Sequence, residues 1–510
     1  MTLAPRRATR LVPAALILLL TVALLLPAFL APAMTHDSFW IDRTWSEQFT
    51  MLLRSGNPYP RWLPWSYGGL GAPVFYYYAP LSFHLAGLIG LTGIATYPAL
   101  LLAFGCAWFG SGLAMHAWLK DRAAAPLAGA LLYMVLPYHV IDFYGRGALA
   151  EFCAFAIIPL VAIGICHAAD RGRSWPLAIA YTALIMTHLP TAVIASVLLV
   201  APLALWSAQG DIRRLLPVAT GLATGLAGAA IYLVPALTLQ HHVALGSLWD
   251  VPFLQPANWS LLHPARWTST SYVLLFDGLA LATAATALLL SGRRPGFWTI
   301  WTVAIAAIAA GLLPGFWSLP VLKAVQFPWR ALALAEFGLA TVAAGRRGSP
   351  VTTVAILLPL LAFALTMLSP ANPLHGDAMT PLPIPGRQDV IEYLPAGAVA
   401  MGRAPRTHLL QAATATARRH PGAMFSYPSV QARCDDGSSS PPRRDRDSAL
   451  LVRAPADCRL EIGRLPQEWL GLFISLAGWG AVAASAYRPS PRRLSARACP
   501  AWSAGSPAVP

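Results

Sequence analysis

Leu11-Val12-Pro13-Ala14-Ala15-Leu16-Ile17-Leu18-Leu19-Leu20-Thr21-Val22-Ala23-Leu24-Leu25-Leu26-Pro27-Ala28-Phe29-Leu30 carries no charge over twenty residues and follows a basic flank of Arg6, Arg7 and Arg10. As a helix it is about 30 Å long, the thickness of a bilayer's hydrocarbon core. Ala31-Pro32-Ala33 mimics a signal-peptidase site, but the run exceeds the usual signal core of about 7 to 15 residues, so an uncleaved anchor is expected. Similar runs recur along the 510 residues. They are 11–33, 97–119, 123–140, 152–168, 175–189, 191–207, 215–236, 270–290, 297–315, 330–345, 351–368 and 468–487. The fold class is therefore an all-α polytopic membrane protein of about twelve transmembrane helices. Pro80 to Thr92 is short for a span, interrupted by His84, and suits an interfacial or re-entrant helix.

Composition excludes the competing classes. With 56% hydrophobic and 11% charged residues the chain is not a string of soluble domains, and the runs lack the alternation of a transmembrane barrel. A net charge of +15 raises the question of nucleic acid. The arginines, however, sit in short clusters between apolar runs, where they act as topology signals. The positive-inside rule places Arg6/Arg7/Arg10, Lys120/Arg122, Arg171/Arg173, Arg213/Arg214, Arg293/Arg294, Arg346/Arg347 and Arg488/Arg492/Arg493 in the cytoplasm together. Both termini are then cytoplasmic, and no nucleic-acid partner is expected.

The outer face receives 34–96, 141–151, 237–269, 316–329 and 369–467. Residues 1–368 form the transmembrane module with its long periplasmic loop 34–96. Residues 369–467 read as a small β-containing periplasmic domain, with alternating stretches Ala449-Leu450-Leu451-Val452 and Arg459-Leu460-Glu461-Ile462 and a flexible tip at Asp435 to Asp447. The last helix is 468–487, and 488–510 is a disordered cytoplasmic tail. Cys434 and Cys458 are the only cysteines in the outer segment, so a disulfide is expected, with two free thiols as the alternative. Cys106, Cys153 and Cys166 fall in apolar helices and read as small packing residues; Cys499 lies in the tail.

Chemistry-capable residues gather on the outer face. Loops as long as 34–96 are uncommon without a purpose, and this one opens with His36-Asp37 directly after the first span. Its aromatics suit a membrane interface as well as a binding site. Arg146 and Glu151 lie at the lip of two helices, either as an ion pair capping the bundle or as part of a functional site. His188 beside Pro190 reads as a capped helix end or a ligand. Gln326 and Arg330 flank Pro328, and Arg330 can simply snorkel to the interface. Asp277 and Glu336 are costly in lipid and should turn inward, where a hydrogen bond would account for each. No Walker loop, dinucleotide fingerprint, nucleophile elbow or metal-ligand spacing is present, and His241-His242 is adjacent rather than helically spaced. No cofactor or metal is expected.

At these residues the chain resembles a family. His36-Asp37, Pro60-Arg61-Trp62, Gly69-Leu70-Gly71-Ala72-Pro73, Tyr78-Ala79-Pro80, Arg146-Gly147-Ala148-Leu149-Ala150-Glu151, Gln326-Phe327-Pro328-Trp329-Arg330 and Glu392-Tyr393-Leu394-Pro395 together resemble the membrane proteins labelled 6-pyruvoyl-tetrahydropterin synthase-related. The label implies no pterin chemistry. That family is similar in layout to the C-type (GT-C) glycosyltransferases, whose acidic residue follows the first helix in a long outer loop. The resemblance runs from about 11 to 487. It implies transfer of a sugar from a polyprenyl-phosphate carrier to an acceptor at the periplasmic face of a bacterial inner membrane. Asp37 would be the general base taking the acceptor hydroxyl's proton. Arg61, Arg146, Lys323 and Arg330 would offset charge developing on the departing phosphate. His36, Tyr78, Glu151, His188 and Gln326 would complete the substrate-binding set. A lone Asp after His, in place of Asp-x-Asp, gives no support to a bound metal. The alternatives are a flippase for a lipid-linked saccharide, relying on Asp277 and Glu336, and a non-catalytic envelope scaffold. Oligomeric state is left open.

Overall fold

The computed structural model describes residues 5–30, 38–244, 254–263, 270–291, 294–313, 315–345, 390–396, 421–445 and 450–487. Its helices begin with α1 (Pro5–Leu30), α2 (Phe39–Arg54), α3 (Val74–Tyr77), α4 (Leu81–Leu91), α5 (Thr96–Leu119), α6 (Pro126–Val135) and α7 (Pro137–Ile141). Next come α8 (Leu149–Arg171), α9 (Trp175–Thr187), α10 (Leu189–Ala195), α11 (Ala201–Ala208), α12 (Leu215–Gly228) and α13 (Ala230–Thr238). The last are α14 (Thr270–Ser291), α15 (Phe297–Ala309), α16 (Pro320–Lys323), α17 (Leu332–Ala344) and α18 (Pro466–Tyr487).

Among the described residues six helical segments are long and apolar enough to cross a membrane, or up to eight if each of two bent pairs is one span. The chain is a multi-pass membrane protein. The difference from about twelve is part coverage and part physical. The expected span 351–368 lies outside the described residues. Helices α9, α15 and α17 have 13 residues each, about 20 Å, well short of a hydrocarbon core. The run at 123–140 is broken at Pro137, which has no N–H to donate and holds Leu136 extended, so α6 and the helix following it bend by 42°. Helices α12 and α13 bend by 70° across Ala229.

Glu336 of α17 caps the break in the first pair. Its two carboxylate oxygens accept the backbone N–H groups of Tyr138 (2.6 Å) and His139 (3.1 Å), donors that every helix start leaves unpaired. This inward-turned acid is thus explained by hydrogen bonding. Asp277 on α14 is also buried, with Oδ2 lacking a partner among the described residues.

Two hydrophobic cores divide the molecule. One fills the helical bundle. The other joins Trp45, Trp62, Tyr76 and Phe83 of the first long loop with Leu239 and Val243, Tyr393 and Leu394, and Phe425, Tyr427 and Leu451. These are the segments that charge patterning assigns to one face, and they form a shared cap. The cap is not built from the C-terminal segment alone. Backbone bonds stitch it together, Phe425 N–H to the Leu70 carbonyl (2.9 Å) and Ala244 N–H to the Leu394 carbonyl (2.9 Å).

The cap's strands are β1 (Met424–Phe425), β2 (Val430–Cys434), β3 (Ser439–Ser440), β4 (Arg443–Arg444), β5 (Leu451–Arg453) and β6 (Cys458–Ile462). They make two antiparallel three-stranded sheets, β1-β5-β4 and β3-β2-β6. Cys434 and Cys458 face each other in register and are disulfide-bonded. The stretch expected as a flexible tip is partly structured: β3 pairs with β2, and β4 with β5. Cys166, expected as a small packing residue, is buried but disulfide-bonded.

Candidate functional site

The expected outer loop 141–151 is instead a wound turn over Asp142–Arg146 that runs through Gly147 into α8. Gly147 sits at φ +59, and a Cβ there would meet Phe39 Cβ at 2.5 Å. Glycine is required both by the left-handed backbone and by the close approach of α2. That approach is held by Ser38 N–H on the Arg146 carbonyl (2.9 Å) and by Asp42 Oδ2, which accepts Leu149 N–H (2.8 Å) at the start of α8.

The turn delivers Arg146 to Glu151. Arg146 Nη1 donates to Asp142 Oδ1 (2.7 Å) and Glu151 Oε2 (2.8 Å). Arg330 Nε donates to the same Glu151 oxygen (3.1 Å), and the Tyr138 hydroxyl donates to Glu151 Oε1. Both arginines and both acids are at least nine-tenths buried. Two guanidinium groups against two carboxylates make the cluster neutral, the condition under which buried charge is tolerated. The ion-pair reading of Arg146 and Glu151 therefore describes real packing.

Arg330 does more than pair. Its Nη1 holds the Val325 carbonyl (2.6 Å), so Nε and Nη1 are committed while Nη2 has no partner among the described residues. Arg330 lines a cavity of about 620 Å³ with Tyr78, His188, Gln326, Tyr232 and Tyr393. Gln326 is held at φ +69, a conformation a non-glycine residue keeps only when its surroundings impose it. His188 bonds the Thr191 hydroxyl through Nδ1 (2.7 Å) at the junction of α9 and α10, as a helix-end histidine would, and still faces the cavity. Burial raises the Tyr78 hydroxyl well above its ordinary value, so it remains protonated and able to donate.

Of the residues singled out from sequence, Tyr78, His188, Gln326 and Arg330 share this cavity, and Glu151 and Arg146 brace it from behind. His36 and Asp37 lie outside the described residues. Arg61 is a correction: it does not join Arg330. Arg61 Nε pairs with Glu468 at 3.1 Å, Nη2 donates to the Ile231 carbonyl (2.7 Å), and the guanidinium stacks on Tyr59, 3.8 Å from the ring centre. It lines a separate cavity of about 790 Å³. The cause is Glu468 at the head of α18, a partner 407 positions away that no local pattern reveals.

Sequence reasoning missed Asp42, Tyr138 and Asp142. Asp142 had a signal, its i,i+4 spacing to Arg146. Tyr138 followed the visible break at Pro137. Asp42, 107 residues from Leu149, had none.

No family model matches the chain, and no curated protein sequence does. The resemblance to the 6-pyruvoyl-tetrahydropterin synthase-related proteins thus gains nothing from either. Among solved structures, cryo-EM structures of the arabinofuranosyltransferase AftD from Mycobacteria are similar. One has 19% identity over 74% of this chain, with a TM-score of 0.44; a mutant form has 17% over 72%, with a TM-score of 0.45. The chain spans 27% and 28% of those AftD chains. A likeness of this strength carries no argument about function.

Proposed function

We propose that this chain is a membrane glycosyltransferase of GT-C layout that moves a sugar from a polyprenyl-phosphate donor to an acceptor at the face bearing the cap. In this reading that face is periplasmic, the membrane is a bacterial inner membrane, and both termini are cytoplasmic. The observation that carries it is the Arg330 cavity at the junction of the two cores. Apolar Leu189, Val193, Ala236, Leu237 and Val321 line it alongside the uncommitted Arg330 Nη2, the Tyr78 hydroxyl and Gln326. An apolar lining accepts a prenyl chain, and a guanidinium donor beside it meets the phosphate that becomes more negative as the sugar leaves. Glu151 and Arg146 fix Arg330 in place, so donor geometry is set before substrate arrives. Asp37 is the proposed general base. Its chain neighbour Ser38 is bonded to the Arg146 carbonyl, which ties that end of α2 to the cluster.

The test is transfer from a polyprenyl-phosphoryl sugar by the reconstituted full chain. Asp37→Asn should abolish transfer without loss of folded protein. Arg330→Gln should lower it by about 10²-fold or more, the usual cost of one transition-state donor. Full activity in either variant removes that residue from the mechanism.

A further inference from the structure

The larger cavity is not used by the reading above. It lies between α13, α18, the 57–64 stretch and the edge of β6, and it shares a thin wall with the Arg330 cavity. Tyr76 and Ile231 line one side; their chain neighbours Tyr77 and Tyr232 line the other. Helices α3 and α13 form that wall, tied by the Tyr232 hydroxyl on the Tyr77 carbonyl (2.8 Å).

Two features point to a ligand. Arg61 is 6% exposed, and its Nη1 has no hydrogen-bond partner among the described residues although the side chain lines the cavity. A buried guanidinium N–H left unpaired costs about 1–3 kcal/mol or more, so an occupant with an oxygen there is favoured. The second feature is the lining, in which Tyr59, Trp62, Tyr76 and Trp469 surround the Arg61–Glu468 pair. Interface anchoring accounts for aromatic residues in general but not for the unpaired Nη1.

Charge selects among ligands. The lining cations Arg61 and Arg464 are matched by Glu461 and Glu468, so the site offers donors and acceptors without net attraction for an anion. We infer that this cavity binds an uncharged saccharide, the part of the acceptor that lies away from its reacting hydroxyl. Sugar rings present C–H faces to aromatic rings and hydroxyls to a guanidinium–carboxylate pair, the two surfaces this cavity supplies. About 790 Å³ is within the range that encloses a drug-sized molecule, enough for a few sugar rings. The word acceptor rests on the transferase reading; the saccharide site does not.

The full chain, placed in phosphatidylcholine nanodiscs free of sugar detergents, is titrated calorimetrically with neutral linear oligosaccharides of hexoses and pentoses. Oligogalacturonate serves as the anionic control, and polyprenyl phosphate is titrated separately. Trp469→Leu acts at a position 44% exposed and should be tolerated by the fold; Leu472→Trp should fill the cavity. At least one neutral oligosaccharide should bind, and both variants should weaken it tenfold or more with an unchanged melting temperature. Polyprenyl phosphate binding should not move. The proposal is overturned if no neutral oligosaccharide binds, if binding is indifferent to both variants, or if the anionic control binds better. Saccharide binding without any polyprenyl phosphate binding supports this site while removing the transferase reading.

Discussion

The Arg330–Glu151–Arg146 cluster and the Arg61–Glu468 pair use the same chemistry for different ends. Each buries guanidinium groups against glutamate, and each leaves one terminal guanidinium nitrogen beside a cavity without a partner among the described residues. The first joins the turn after α7, the start of α8 and the segment before α17, all within the bundle. The second fastens the cap to α13 and α18. The bundle cluster shares one carboxylate between two arginines, whereas the cap pair is one to one with Glu468 slightly exposed at 11%. That difference sets how much each loses when its acid is neutralised.

Glu151→Gln is expected to be the most damaging change. It leaves buried Arg330 on a neutral amide and Arg146 with Asp142 alone, so the cluster carries an uncompensated charge, at a cost of about 3–5 kcal/mol, read as loss of monodisperse protein or a large fall in melting temperature. Glu468→Gln should cost less, because one arginine is affected and water reaches the pair. Equal losses would erase the distinction. Gly147→Ala comes next. Its left-handed backbone and the 2.5 Å approach of Phe39 predict about 1–3 kcal/mol, with α2 displaced from the Arg146 turn. Gly71→Ala, at φ +81 and 2.4 Å from the Trp62 ring, should loosen the cap instead and leave the bundle intact by hydrogen exchange.

Alkaline pH should separate the two regions more gently. Tyr59 is partly exposed, but its hydroxyl is buried, and burial pushes it from 10 up to about 12. Burial also raises Tyr76 and Tyr427. A raised folded-state value means the neutral form is favoured by folding. The stabilisation is therefore complete below pH 10 and is lost as pH rises toward 12. Thermal melts should show the cap loosening first in that window, and Tyr59→Phe should reduce the slope. A flat profile would contradict the burial argument.

Legibility followed sequence distance. The long spans α1, α5 and α8 were readable because lipid demands unbroken apolar length. Arg146 and Glu151 are readable as partners because they lie five positions apart. The bends were not, since a run of apolar residues looks the same straight or broken: Pro137 stood in plain view inside 123–140, and Ala229 has no signature at all. Sequence groups Arg61 with Arg330 because both fall in segments assigned to one face, and facing one compartment does not make two side chains neighbours. Only the fold brings Glu468 to Arg61, and only the fold shows that Tyr76 and Tyr77 belong to different cavities.

The most direct measurement is a structure of the full chain bound to polyprenyl phosphate. The phosphate should lie within hydrogen-bond distance of Arg330 Nη2, with the prenyl chain along Leu189, Val193 and Leu237. Phosphate density beside Arg61 and Glu468, or outside both cavities, would contradict the assignment of the donor site.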